Sequence, residues 1–334
     1  MKVYHKALVA AALVVCMALG MTGCRSKPLD GTQIAATVGE KEMTLGEANF
    51  LLRYQQVQTE TYYESMLGEG IYDMDLYGNG TTFGESLKSD LMDQMQEYYI
   101  LEAKAADYGV ELTEEETAAI TEAATAFLND NDKNAKEQMT ADQTTVERVL
   151  TLMTISHKMT AAVKEEANVT VTDEEAAQRG FSYVSMSKLD DAGEELSAED
   201  IQAAKDKLTA VAKSVESGNT MDAAAVEQSL TSYPGSYGEE TETYYDEALI
   251  AALKETKEGE LTEIVETDTE LYLAVVTADL DEDATASRKE TLISAGETEY
   301  FDGLMETWKA EYPLTVVDSV WEQVVFDRSY ETAQ

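Results

Sequence analysis

Thr44 and Glu47 stand three residues apart at the head of an apolar-periodic run, and the same pairing returns at Thr82 and Glu85, Thr113 and Glu116, Thr144 and Glu147, and Thr172 and Glu175. At this spacing the threonine oxygen accepts a hydrogen bond from a free N–H of the first helical turn. The glutamate reaches back to the threonine's own N–H, so two orphan donors are satisfied at once. A chain that restarts helices in this way between residues 44 and 170 is predicted to fold there as four helices in series, the first over 45–66. The second has the clearest pattern: Leu87, Leu91, Met95, Tyr98 and Leu101 share one face, and Ser89, Asp93, Gln96 and Lys104 share the opposite one. Gly109 closes it, and Glu102 falls beside the apolar stripe, which predicts a stripe only partly buried at that end.

The helical run is framed by other signals. Ahead of it, "IAATVGEKEMT" alternates around Gly39 and Glu40 and reads as a hairpin. From residue 179 the character changes: "FSYVSMS" is strand-like, 203–215 is helical, and "LTEIVETDTELYLAVVT" gives two strands around a turn at Asp268. Residues 287–310 return to a helix with Phe301, Leu304, Met305 and Trp308 at helical spacing, followed by Pro313 and a strand-like "LTVV". Helical character on both sides of an α+β segment predicts an α+β fold with an inserted domain: 34–176 and 285–334 form one domain around 177–284.

The N-terminus reads as a secretory signal, with Lys2, His5 and Lys6 preceding an apolar segment over 7–20. That segment is short of the ~20 apolar residues a membrane span requires. Met21, Thr22, Gly23 and Cys24 resemble the bacterial lipobox, which implies removal of 1–23, lipidation of Cys24, and a polar tether over 24–33. Cys16, the other cysteine, lies in the removed segment, so the mature chain has no thiol for a disulfide or a cysteine metal site. Removal of Lys2 and Lys6 leaves 22 basic against 66 acidic residues, a net charge of −44. Such a surface is repelled by nucleic acid and by anionic headgroups, which excludes nucleic-acid partners and leaves the acyl chains to hold the membrane.

Taken in order, "VGEKEMTLGEANFLLRYQQ" (38–56), "GVELTEEET" (109–117), "GNTMDAAAVEQS" (218–229), "LKETKEGELTEIVET" (253–267) and "PLTVVDSVWEQVVF" (313–326) resemble the PrsA/SurA-type extracytoplasmic foldases. The resemblance implies a SurA-N-like helical chaperone domain built from both chain ends around a parvulin-type peptidyl-prolyl isomerase domain. It also implies unfolded secreted polypeptides as partners and no cofactor. Gly218, Met221, Ala225 and Ser229 match the parvulin pattern. The family's catalytic core implies one histidine on the first strand and another on the last, and this chain has Tyr183 and Tyr272 there. His157, the one histidine beyond the signal segment, belongs to the helical region.

Tyr183 and Tyr272 are therefore the candidate catalytic residues. Met221, Tyr244, Tyr245 and Leu249 are the candidate peptide-binding ones. Residues 233–245 correspond to the family's glycine-rich stretch before the proline pocket, with a plain surface loop the equal alternative. Three functions follow: a membrane-anchored foldase or holdase, an active isomerase with a histidine-free pocket, and a solute-binding lipoprotein. The last lacks the alternating βα pattern its two-lobed folds need.

Asp279, Asp281, Asp283, Ser287 and Glu290 stand at EF-hand spacing and are candidate calcium ligands. Ala284 occupies the sharp-turn glycine position, and an acidic hinge leading into a helix N-terminus is the alternative reading. His157, among Met153, Ile155 and Met159, reads as structural, and no nucleotide, nucleophile-elbow or zinc motif is present in the sequence. Tyr62, Tyr63, Tyr72 and Tyr77 are expected to be exposed and available for adaptable polypeptide contact.

Overall fold

A computed structural model describes the backbone of residues 19–23, 28–67, 70–326 and 328–332, and the side chains of 28–58 and 70–326. Cys16, Cys24 and the side chains of Tyr62 and Tyr63 lie outside the described residues. The chain divides into two compact units, one of residues 1–168 with 297–334, the other of 169–296.

The first unit opens with β1 (Leu19–Gly23), whose backbone pairs antiparallel with β9 (Arg328–Thr332). β2 (Ile34–Val38) and β3 (Lys41–Thr44) form the expected hairpin, turned at Gly39 with φ +57°. β8 (Leu314–Val316) lies on the other side of β2, Val316 opposite Ala36 and Leu314 opposite Val38, so this sheet is made from both chain ends.

Its helices are α1 (Leu45–Leu67), α2 (Phe83–Lys104), α3 (Glu114–Asp130), α4 (Lys133–Gln138) and α5 (Gln143–Ala167). Thr44, Thr82 and Thr113 each accept a bond from the glutamate's backbone N–H and receive the reciprocal carboxylate. Thr144 does not cap. Asp142 takes that place, accepting from the Thr145 N–H at 2.8 Å, and an aspartate oxygen two residues earlier starts α5 before Thr144 can. α4, unforeseen in the sequence, is capped in the same way by Asp132 on the Ala135 N–H.

The core gathers Phe50 and Leu51 of α1, Leu91, Met95 and Ile100 of α2, Phe127 of α3 and Leu150 of α5, and Phe50 meets Phe127 edge-on at 5.3 Å. Met305 and Trp308, near the end of α10 (Glu282–Glu311), join it, as do Trp321 of α11 (Asp318–Trp321) and Val324. That returning segment explains two departures from the simple amphipathic pattern. Gln96 is buried, because the chain at Tyr312 covers its face and supplies a carbonyl that accepts from its Nε2 at 2.9 Å. Tyr72, expected outside, is also buried, stacked on Phe326 with centroids 4.3 Å apart.

Glu102, the acid beside the stripe of α2, is met by both terminal guanidinium nitrogens of Arg148 on α5. The same arginine donates to Glu47 at 3.3 Å and lies over the Tyr99 ring, whose hydroxyl donates to Glu47 at 3.0 Å. Burial first, then the Glu47 carboxylate, hold the Tyr99 hydroxyl far above its ordinary pKa.

The second unit begins with α6 (Asp173–Ala176), boxed by Thr172 and Glu175. β4 (Arg179–Ser187), β5 (Tyr233–Tyr237), β6 (Val265–Glu266) and β7 (Glu270–Ala278) make an antiparallel sheet of order β5-β4-β7-β6. Strand alternation divides its side chains between two faces. On one, Val184, Leu271 and Leu273 pack under Leu208 and Val211 of α7 (Ala198–Glu216) and under α8 (Met221–Glu227). On the other, Phe181, Ala274 and Val276 pack under Leu249, Ile250 and Leu253 of α9 (Glu247–Glu255). The mixture of helices with antiparallel sheets is an α+β fold, and no βα-alternating lobe of a solute-binding protein is present among the described residues.

Candidate functional site

Tyr183 lies on β4 opposite Ala274, and Tyr272 lies two residues before Ala274 on β7, so the two tyrosines are diagonal neighbours on one face. Their ring centroids are 6.2 Å apart. Tyr233, directly opposite Tyr183 on the edge strand β5, stands at 5.8 Å from it, and Tyr245, just before α9, at 6.4 Å. Phe181 forms the floor, 5.6 Å from Tyr183 and 5.0 Å from Tyr245.

The floor exists because residue 235 is glycine. Gly235 is the register partner of Phe181, and the phenyl ring lies across it so closely that a Cβ there would stand 2.5 Å from Cζ. The stretch 233–237 is thus an edge strand and not the surface loop that its Pro-Gly pair suggests, since the ring, rather than a turn, uses the glycine.

Burial raises the pKa of the Tyr183 hydroxyl, with Tyr245 and Tyr233 adding to the effect. Burial also raises that of Tyr272, followed by the carboxylates of Glu270 and Asp246. Both phenols are therefore neutral O–H donors through the physiological range. The Tyr245 hydroxyl accepts from the Ser236 backbone N–H at 3.3 Å, which fixes its ring against β5. Glu270, on the Tyr272 side of β7, is half-buried, and burial pushes its carboxyl up. Such a face can bind an apolar ring and donate hydrogen bonds to a carbonyl. It has no imidazole to move protons near neutrality.

The peptide-binding candidates separate. Tyr245 belongs to the cluster, Leu249 is sealed beneath it at 1% exposure, and Tyr244 stands outside at 76%. Met221 is corrected to the opposite face of the sheet: it opens α8, whose small residues Ala224 and Ala225 let it press into the core under α7 at 4% exposure. The sequence reading singles out neither Phe181 nor Glu270, and takes in Tyr233 and Gly235 only as part of the stretch 233–245. Strand alternation through Phe181 and Tyr183, and through Tyr233 and Gly235, was the signal that pointed to them.

The calcium candidates do not form a loop. Asp279 accepts from Arg179 at 2.7 Å, Asp281 accepts from the Ala284 N–H at 2.9 Å at the head of α10, and Asp283, Ser287 and Glu290 are already helical. Among the described residues no group of three His, Cys, Asp or Glu side chains is placed to hold a metal. His157 is exposed on α5, in the other unit. A cleft of about 740 Å³ in that unit is lined by Gly31, Thr32, Glu47, Lys136 and Arg148. Its charges are already spent, Arg148 on Glu102 and Glu47 and Lys136 on the Leu128 carbonyl.

Residues 186–277 match the rotamase family model, described as the PPIC-type PPIase domain. Tyr272 lies within the match, and Tyr183 three residues before it. No curated protein matches the chain. Among solved structures, the foldase protein PrsA of Lactococcus lactis is 12% identical with a TM-score of 0.38, covering 87% of this chain and 98% of that one. The SurA-like chaperones PEB4 and Cj1289 of Campylobacter jejuni are represented by a structure at 10% identity and a TM-score of 0.30, covering 85% and 99%. PrsA of Bacillus subtilis gives 12%, 0.26, and 83% and 93%. Within the α+β unit, residues 186–277 are thus similar to the PPIC-type PPIase domain of the rotamase family.

Proposed function

We propose that this chain is a membrane-anchored extracytoplasmic foldase that binds unfolded secreted polypeptides and receives their prolyl segments on the tyrosine face of its PPIC-type domain. The observation that carries this reading is the convergence of Tyr183 and Tyr272 at 6.2 Å on the sheet of a domain matching the rotamase family. The lipobox-like Met21–Cys24 supports anchoring through Cys24, and among the described residues no helix is long and apolar enough to cross a membrane. Acyl chains on that cysteine, at ~0.8 kcal/mol per buried CH₂, supply the attachment that the acidic surface opposes.

A second reading, that the domain is an active isomerase, is favoured by the two neutral donors. Rotation about a prolyl bond must pass a barrier of ~18–20 kcal/mol, and hydrogen bonds made only to the twisted amide lower it without proton transfer. The test is refolding of a client whose slow phase is a trans-to-cis proline step, with the full chain in mild detergent and rate and yield recorded together. A faster slow phase that is lost in Tyr183→Ala establishes the isomerase. A higher yield at unchanged rate establishes a holdase, and no change in either overturns the proposal.

A further inference from the structure

The tyrosine face carries a charge pattern that an apolar proline pocket has no use for. Glu270 precedes Tyr272 by two residues on β7 and so shares its face, where the register partners Ser187 and Ser185 bring no cation. Its carboxylate has no hydrogen bond or ion pair among the described residues, although it is half-buried. Asp246, the cap of α9, lies near enough to act on the Tyr272 hydroxyl as well. Three cations of this unit, Lys188, Lys254 and Arg179, are held elsewhere. Lys188 is on Glu266 and the Thr267 carbonyl, Lys254 on Glu242, and Arg179 on Asp279 and two carbonyls. Nor are the rings closed on one another. Tyr183, Tyr245 and Tyr272 are each only half-buried, so part of each ring stays open to an entering group.

We propose that this face selects prolyl segments with a lysine or arginine next to the proline, the cation lying against the Tyr183 and Tyr272 rings and within reach of Glu270 and Asp246. The inference rests on the client-binding reading of the same site and names its substrate class. Two features of the chemistry suit a cation and neither suits an anion: ring faces carry negative quadrupole potential, and a half-buried carboxylate without a partner gains from an opposite charge. A net charge of −42 over the chain adds long-range attraction for basic segments.

The experiment measures binding of four fluorescent peptides, identical but for Lys-Pro, Arg-Pro, Ala-Pro or Glu-Pro at the centre, to the full chain in mild detergent at low salt. Lys-Pro and Arg-Pro are expected to bind about ten-fold tighter than Ala-Pro, the scale of one desolvated cation–π contact, with Glu-Pro weakest. The near-isosteric Glu270→Gln should remove most of that preference. Tyr272→Phe, which keeps the ring, should retain the preference, and Tyr272→Ala should lose it. Equal binding of all four peptides, weakened throughout by Tyr183→Ala, overturns the cation site and leaves the client site standing. No binding of any peptide, or binding indifferent to Tyr183→Ala, overturns both. A preference for basic peptides that survives Glu270→Gln and Tyr272→Ala assigns it to the general surface charge and also overturns the cation site.

Discussion

Tyr183 and Tyr272 face each other at 6.2 Å across the two central strands of the inserted sheet, and burial holds both hydroxyls above their ordinary pKa. A raised phenol is one whose neutral form the fold prefers. The stability it contributes is complete below the unfolded value near 10 and disappears as pH rises through the higher folded values. Tyrosinate absorbance of Tyr183→Phe and Tyr272→Phe, subtracted from the parent, should each reveal a missing transition above pH 10. Client binding should be flat between pH 7 and 9. A binding step near pH 6.5 would show that a histidine-like group governs the site.

Gly235 gives a sharper structural test. Phe181 occupies the space a side chain would need, so Gly235→Ala must push the ring off the sheet and with it the floor under Tyr183 and Tyr245. Overpacking of this kind costs about 1–3 kcal/mol. Lower thermal stability of the second unit, together with a changed near-ultraviolet tyrosine signal, is the expected result. An unchanged melting curve would mean that the sheet edge yields freely.

In the first unit Arg148 serves two acids, Glu102 at 23% side-chain exposure and Glu47 at 9%. Arg148→Met strands the Glu102 carboxylate and takes one donor from Glu47, which keeps Thr44 and Tyr99, and the cost is expected at about 2–3 kcal/mol, below the range for fully buried pairs because Arg148 keeps 29% of its surface in water. Urea unfolding of the single variant and of the triple variant with Glu47→Gln and Glu102→Gln decides the point. The triple variant should recover part of the loss, because its acids no longer carry charge.

The start of α5 separates two cap residues that the sequence leaves in competition. Asp142→Ala should lower stability by about 1 kcal/mol, the usual worth of a cap. Thr144→Ala, in the first turn, should change it by only a few tenths. Equal effects in thermal unfolding would put the cap back at Thr144.

Both chain ends build the first unit, since β8 supplies the second neighbour of β2 and Trp308 and Trp321 fill the helical core. Deleting residues 313–334 should therefore abolish cooperative unfolding of that unit, because β2 loses a strand partner and Ala36 and Val38 lose their cover. Calorimetry that still showed its transition would refute the two-ended construction.

Much of this architecture follows from local rules written in the chain. The threonine–glutamate boxes at 44, 82, 113 and 172 cap the helices they head, because a box needs only atoms within one turn. The hairpin at Gly39 and the β6–β7 turn are equally local, as is the two-residue period that puts Phe181 and Tyr183 on one face of β4. What lay across the chain had to wait for tertiary structure. Arg148 meets Glu102 from 46 residues away, Gln96 finds its acceptor 216 residues on, and Phe181 fits against Gly235 on a neighbouring strand. Met221 and Tyr245 both carry pocket-like side chains, and only the packing of α8 and α9 on opposite faces of one sheet parts them. The reason is physical: capping and alternation are set by bonds within a few residues, whereas the tyrosine face depends on strand register and on which helix covers which face. Those are decided by burial summed over the whole unit.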